Sequence, residues 1–237
     1  MQQNRLLSII AQRHSDCHGQ LQRIDFVHGD SFGVAGATIG QAVFPVSGLI
    51  SVVVPFSDGS LVEAAMIGHD GVVGGVVGFG IGSHLNSNVS QLPGTAYLLP
   101  AKILADISSA DEKVRSMLFA HEQFMLAQAQ QMAACNARHH IMQRLSGWLL
   151  RAQDLSGGGQ MILTQECLAQ MLGVQRASVT GCAVKLQDME LIRYRRGQLT
   201  ITDPAGLARQ ACECHVRVQA CREALLLQAG DPLREAH

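Results

Sequence analysis

Arginine side chains cluster in one short segment of the C-terminal third of the chain. Arg193, Arg195 and Arg196 lie within four residues of one another, beside Tyr194. A guanidinium group can donate parallel hydrogen bonds to a phosphate or to the edge of a base, so this cluster has the chemistry to bind a polyanion. The alternative is a solvated surface hairpin with no ligand.

Two predicted strands would position these arginines. Residues 191–195 and 198–202 alternate in the manner of strands, and Arg196-Gly197 between them is typical of a hairpin turn, because glycine tolerates the required backbone angles. Asp203-Pro204 then predicts the cap and first turn of a final helix.

A pair of helices is predicted just before the hairpin. Thr164 can cap a helix that ends at Leu172, Gly173 suits the turn, and a second helix is expected over about 175–189. This spacing indicates a helix-turn-helix, and the hairpin that follows would be its wing.

The residues expected to contact DNA lie on this winged helix-turn-helix. The start of the second helix typically enters the major groove, where Arg176 could fork onto a guanine, while a wing lies along the phosphate backbone. The predicted DNA-binding set is Thr164, Gln175, Arg176, Ser178, Thr180, Lys185, Arg195 and Arg196.

The N-terminal part predicts an antiparallel β-roll of the jelly-roll kind. Fifteen of the 24 glycines fall within residues 1–94, and the runs between them are short and rich in Val and Ile. The expected strands include 42–44, 49–54, 60–67 and 88–92, and a helix is expected before them near Asn4–Arg13.

A long helix is expected between these two regions, with a capping box at Ser109–Glu112 as its start. Its heptad spacing predicts a two-stranded coiled coil and hence a homodimer. The alternative is a helix buried within one chain. The predicted dimer interface is Val114, Leu118, His121, Met125, Gln128, Met132 and Cys135. The fold class is therefore α+β, divided into a β-roll sensor (1–108), a dimerisation helix (109–139) and a winged helix-turn-helix (140–237).

The motifs in this order resemble the Crp/Fnr family of bacterial regulators. The resemblance rests on residues 163–174, 176–180 and 191–194, and on 44–48 and 67–71 in the β-roll. It implies a transcription regulator that binds a palindromic double-stranded DNA site as a homodimer, with RNA polymerase as a further partner.

The sequence departs from the family at the sensor. Members that bind cyclic nucleotides carry a Gly-Glu pair and an Arg-Ser or Arg-Thr pair, whereas this chain has Gly74-Gly75 and Leu85-Asn86. No Lys or Arg occurs between Arg23 and Lys102, so a cyclic phosphate would lack a cation. The effector is left open, with no cofactor predicted.

The DNA-reading helix also departs from the family. Ala177 replaces the glutamate of the base-reading triplet, and Gly181 stands where many members have arginine. The DNA sequence that is read should therefore differ from that of the best-known members.

Other classes of function fit the sequence less well. Residues 40–67 contain no histidine and one glutamate, Glu63, so a cupin-like enzyme is not expected. Cys212, Cys214 and His215 are expected on one helix with Cys214 pointing away, and no metal site is predicted. The alternative function is a ligand- or redox-sensing β-roll that acts through protein partners, and oxidation of Cys182 is a further hypothesis.

Composition agrees with a folded protein of the cytoplasm. The 237 residues are 47% hydrophobic and 16% charged, and no apolar run approaches the ~20 residues of a membrane span. The N-terminal apolar run is too short for a secretion signal. Residues 141–237 hold eleven Lys or Arg against nine Asp or Glu, whereas residues 1–110 hold four against seven, so a nucleic acid would favour the C-terminal part.

Overall fold

Two antiparallel sheets form the N-terminal part of the computed structural model, which describes residues 4–228, with side chains up to Leu225. One sheet has the order β1-β7-β3 and the other β2-β6-β4-β5. The strands are β1 (Gln22–Phe26), β2 (Ser31–Gly33), β3 (Gln41–Pro45), β4 (Leu49–Pro55), β5 (Leu61–Ile67), β6 (Ser87–Leu92) and β7 (Gly94–Pro100). The predicted β-roll and the α+β fold class are confirmed.

Strand β4 is apolar on both faces because it is covered on both sides. Ile50 and Val52 face the other sheet and join a core with Phe26. Leu49 and Val53 face the C-terminal part of the chain and join a different core. Burial on both faces explains why apolar residues occupy both faces of β4, with the buried Ser51 as the exception, where one-sided burial would give alternation.

Helices close the roll and lead away from it. They are α1 (Arg5–Arg13), α2 (Ala101–Ala110) and α3 (Glu112–Arg138). Asn4 caps α1: its side-chain oxygen accepts from the Leu7 amide, and its side-chain nitrogen donates to the carbonyls of Pro45 and Gly71. The cap of α3 is Asp111, which accepts from the Lys113 and Val114 amides. The predicted capping box at Ser109–Glu112 is therefore wrong, because α2 continues through Ser109.

The C-terminal part is mainly helical, with a small sheet of order β8-β10-β9. Its elements are α4 (Ile141–Ser156), β8 (Met161–Ile162), α5 (Gln165–Leu172), α6 (Arg176–Asp188), β9 (Ile192–Arg195), β10 (Gln198–Ile201), α7 (Pro204–Gln210) and α8 (Cys214–Gln228). Within residues 4–228, none of these helices combines the length and apolar character needed to cross a bilayer.

The heptad stripe of α3 faces its own chain. Val114, Leu118, His121, Gln128 and Cys135 are each 7% exposed or less. Met125 and Met132 are half-buried. The stripe packs against the β-roll and against α8, which folds back along α3. This stripe therefore fits the alternative interpretation of the heptad, in which the helix is buried within one chain. A homodimer through α3 would have to use a different face of the helix.

The β-roll and the C-terminal part share one hydrophobic core. Leu49, Met66 and Leu92 from the roll pack with Trp148 of α4 and Leu168 of α5. Because apolar burial is the main stabilising contribution to folding, this shared core fixes the C-terminal part against the four-stranded sheet.

Candidate nucleic-acid interface

Helices α5 and α6 pack at the angle set by a tight turn. The Thr164 hydroxyl oxygen accepts from the Cys167 amide at 3.0 Å and caps α5. Gly173 ends α5 with φ +62°, a left-handed conformation that favours glycine. Leu168, Val179 and Leu186 are fully buried between the helices. The predicted helix-turn-helix is thus built on a closed apolar core.

The exposed face of α6 is cationic at its ends and small or apolar between them. Arg176 and Lys185 are exposed, as are Ala177 and Gly181, and Val184 is 48% exposed. A Cβ atom added to Gly181 would meet nothing within 4 Å. Packing among the described residues therefore does not require glycine at this position.

Thr180 is held inside the domain. Its hydroxyl lies 2.6 Å from Oε1 of Gln165 and 3.0 Å from the Arg176 carbonyl, and can donate to either oxygen. The first contact ties the start of α5 to the first turns of α6. Thr180 therefore positions Gln165 at the surface, and no local pattern in the sequence signals this pairing.

The wing is a tight hairpin tied to the helices. Its turn residues Arg196 and Gly197 have φ of +51° and +76°, as a type I′ turn requires. The Tyr194 hydroxyl donates to the Leu163 carbonyl at 2.7 Å, and its amide donates to Oε1 of Gln187 at 2.9 Å. Burial and the nearby Cys167 raise the pKa of Tyr194 to about 12, although Arg176 opposes this. Tyr194 thus stays a neutral donor that anchors the wing.

The structure brings the predicted DNA-binding residues onto this one unit. Ser178 and Thr180 are half-buried, and the other six are exposed: Thr164, Gln175, Arg176, Lys185, Arg195 and Arg196. Arg193 is also exposed on β9, and the predicted set omits it although it belongs to the arginine cluster. The set also omits Val184, because an apolar residue carries no charge signal in the sequence.

Cys182 is half-buried on α6 and packs against the apolar core. Burial raises the pKa of its thiol, although Lys185 opposes this. Because the thiolate is the form that oxidants attack, this environment weighs against the redox hypothesis for Cys182.

A second candidate site is a cleft of about 480 Å³ between the β-roll and α3. Its walls carry apolar side chains together with His84, His121 and Glu122, and no Lys or Arg of the described residues lines it. Nε2 of His121 accepts from the Val72 amide at 3.2 Å, so its proton lies on Nδ1, 3.4 Å from Glu122. Burial lowers the pKa of His84, so this ring favours the neutral form. The cleft therefore presents the Glu122 carboxyl group and two imidazole side chains to a ligand.

Buried polar groups connect the β-roll to helices α4 and α8. Glu63 of β5 accepts from Nε1 of Trp148 at 2.8 Å and from the Ser51 hydroxyl. Asp70 accepts from Arg151 of α4 at 3.0 Å and from Arg222 of α8 at 2.8 Å. Burial opposes ionisation of Asp70, yet the two guanidinium groups hold its pKa well below the usual range.

Four side chains capable of binding a metal ion meet away from the wing. They are Cys135, His139, Cys212 and Cys214, whose ligand atoms all lie within 4.8 Å of one another. The prediction of no metal site treated Cys212 as helical. The chain instead breaks between α7 and α8, so Cys212 precedes the last helix and points to the same place as Cys214. Nothing in the local spacing pointed to Cys135 and His139, which are distant in sequence.

Comparisons with known proteins agree with this geometry. Residues 143–210 match the model of the Crp-like helix-turn-helix domain. That segment is a Crp-like helix-turn-helix domain. It extends from α4 to the end of α7 and contains the whole winged unit. No curated protein matches the chain.

Solved structures share the fold of the larger part of the chain. FixK2 from Bradyrhizobium japonicum is 16% identical, with 81% of this chain and 98% of that one covered and a TM-score of 0.67. TTHB099, a transcriptional regulator of the CRP family from Thermus thermophilus, is 17% identical over 80% and 96%, with a TM-score of 0.65. TTHA1359 of the CRP/FNR family, from the same organism, is 20% identical over 80% and 98%, with a TM-score of 0.64. The predicted resemblance to Crp/Fnr regulators is confirmed: the chain has their fold, and residues 143–210 form a Crp-like helix-turn-helix domain.

Proposed function

We propose that this protein is a transcription regulator that binds a specific palindromic DNA site as a homodimer. The observation that carries the proposal is the exposed Arg176 at the start of α6, on the same domain as the exposed wing residues Arg195 and Arg196. Helix starts enter the major groove and wings follow phosphates, so these cations suit two different tasks.

Two classes of substitution separate these tasks. Arg176→Ala should cost ~1–3 kcal/mol on the preferred site and relax discrimination at one base pair. Arg195→Ala and Arg196→Ala should weaken binding to all sequences alike and lower the salt slope of log K by about one per phosphate contact.

The measurement is a titration of specific and scrambled duplexes at several salt concentrations. Arg23→Ala, an exposed arginine on β1, is the matched control because it removes the same charge from the β-roll. An unchanged ratio of specific to scrambled affinity in Arg176→Ala would contradict the placement of α6 in the groove.

The homodimer is assigned to the face of α3 that its own chain leaves open. Phe119 and Leu126 are 57% and 52% exposed, and Gln123, Gln130 and Ala133 are exposed beside them. Their spacing of four and three residues alternates as a coiled-coil seam requires. We propose this second seam in place of the predicted interface, and two-fold symmetry implies half-sites about one DNA turn apart.

Sedimentation tests the seam. Leu126→Arg should convert the dimer to a monomer at micromolar concentration, because it buries a charge in the seam. Val216→Arg, at an apolar residue of α8 that is 63% exposed, should leave the dimer intact. A dimer that survives Leu126→Arg would place the interface elsewhere.

The cleft between the β-roll and α3 is proposed as the effector site, for a neutral or cationic ligand and not for a cyclic nucleotide. Glu122 and the absence of Lys and Arg from its described walls disfavour an anion. Calorimetry should detect no micromolar binding of cyclic AMP or cyclic GMP, and detection of either would overturn this assignment. RNA polymerase as a partner stays a prediction.

A further inference from the structure

A closed set of four metal-binding side chains lies where the long helix ends. Cys135 and His139 are one turn apart at the end of α3, whereas Cys212 lies in the break between α7 and α8 and Cys214 is the first residue of α8. Cys135, Cys212 and Cys214 are 7%, 5% and 7% exposed, and they form a small cluster apart from the main cores.

The distances suit a tetrahedral ion. The Sγ atoms of Cys135 and Cys212 are 3.5 Å apart, and Sγ of Cys214 is 3.5 Å from Nδ1 of His139. Two thiolates on one zinc ion at about 2.3 Å stand about 3.8 Å apart, and an imidazole nitrogen comes slightly closer. A small rearrangement of side chains would thus place all four atoms around one ion.

The surroundings of His139 carry an independent signature of a metal ligand. Its Nε2 lies 3.3 Å from a carboxylate oxygen of Glu213, so a small rotation of this exposed carboxylate would let it accept a hydrogen bond from Nε2 while Nδ1 faces the thiols. A carboxylate behind a histidine is the usual outer partner in metal sites. Nε2 of Gln131 also donates to Sγ of Cys214 at 2.9 Å.

Arg144 lies where it can balance the negative charge of a zinc-bound site. Three thiolates and Zn²⁺ leave one negative charge, once the metal has displaced three thiol protons. Arg144 lines the same small cavity as Cys135 and Cys212, and its Nε is buried with no hydrogen-bond partner among the described residues. Arg144 is half-buried, and its guanidinium group is stabilised when the sulfurs beside it carry negative charge.

We propose that Cys135, His139, Cys212 and Cys214 bind one structural zinc ion. Four protein ligands leave no open position, which is typical of structural and not of catalytic zinc. The ion would join the end of α3 to the chain segment that follows the helix-turn-helix domain. It would therefore fix the joint at residues 139–140, between α3 and α4, through which the two parts of the molecule are linked.

Metal analysis of the purified full-length protein tests the proposal. We expect one zinc per chain by elemental mass spectrometry, and a colourless protein. Cys135→Ser and Cys212→Ser should each lose the metal, and Cys221→Ser, on α8 outside the cluster, should retain it. A brown iron–sulfur chromophore, or a Cys135–Cys212 disulfide in the freshly purified protein, would overturn the proposal.

Two further measurements do not depend on whether the cysteine variants fold. Cobalt added to the reduced, metal-free wild type should give the visible bands of a tetrahedral ion with thiolate charge transfer. Glu213→Gln, at a side chain that is 65% exposed, should weaken zinc affinity about 10–100-fold in competition with a chelator. Glu112→Gln, at the far end of α3, should not. An octahedral cobalt spectrum would refute the four-ligand site, and equal zinc affinities for the two variants would refute the role of Glu213 as the outer partner of His139.

Discussion

Glu63 should make the free energy of unfolding depend on pH, and one substitution can separate its contribution from that of the other titratable groups. This glutamate is buried where β5 meets α4, and burial raises its pKa from 4.5 to about 8, although hydrogen bonds from Ser51 and Trp148 oppose the shift. The folded protein therefore holds a proton that the unfolded chain releases. The contribution to stability is complete below about pH 4.5 and is lost as pH rises through about 8.

The magnitude follows from the size of the shift. At ~1.4 kcal/mol per pKa unit, the shift corresponds to the order of 5 kcal/mol between the two ends of this range. Glu63→Gln keeps the shape of the protonated acid: its oxygen can accept from Trp148, and its nitrogen can donate to the Ser51 hydroxyl, which turns from donor to acceptor as it would towards a protonated Oε2. The variant should match the wild type near pH 5 and be more stable by several kcal/mol near pH 9.

Urea unfolding followed by circular dichroism at several pH values measures this difference. Subtracting the wild-type profile from the variant profile removes the titration of all other groups. Glu166→Gln, an exposed glutamate on α5, is the matched control and should leave the profile unchanged. Parallel profiles for the wild type and Glu63→Gln from about pH 5 to about pH 9 would refute the reasoning.

Two other substitutions give distinct outcomes. Gly181→Ala should stabilise the fold by ~1 kcal/mol, because alanine has a higher helix propensity than glycine and the position is open, and it should weaken DNA binding because the α6 backbone approaches DNA there. Gly147→Ala on α4 is the control and should stabilise the fold without weakening DNA binding. Equal DNA affinities for Gly181→Ala and the wild type would contradict the close approach of the backbone. Asp70→Asn should lower the free energy of unfolding by ~3–5 kcal/mol, because it leaves the guanidinium groups of Arg151 and Arg222 without their buried carboxylate. An unchanged thermal midpoint would show that the ion pairs of Asp70 with these two arginines contribute little to stability.

The winged helix-turn-helix was predictable because its signals are local. Thr164 caps α5, Gly173 adopts the left-handed conformation of the turn, and Arg196-Gly197 forms the hairpin turn. Each of these features depends on the backbone preferences of a few neighbouring residues. The β-roll was predictable for a similar reason, because short apolar runs between glycines fit few structures other than strands joined by turns.

The capping box at Ser109–Glu112 was a local error, whereas the other features that the sequence left open depend on contacts between residues distant in sequence. The heptad of α3 correctly indicates one buried face, but spacing cannot say whether a partner chain or α8 covers it. The break after α7 was missed because Ala211 and Cys212 carry no strong helix-ending signal. Once that break was missed, the meeting of Cys135 and His139 with Cys212 and Cys214 could not be foreseen, because residues so distant in sequence meet only in the folded chain.

The core shared by the β-roll and the helix-turn-helix domain has a consequence for switching speed. Any swing of the DNA-binding part about the α3–α4 joint must first separate Leu49 and Met66 from Trp148 and Leu168. Water would then reach surfaces that are dry in this arrangement, and the barrier would resemble that of partial unfolding more than that of a free hinge. Such a molecule would exchange between discrete arrangements slowly, and a heat pulse would melt both halves in one cooperative step.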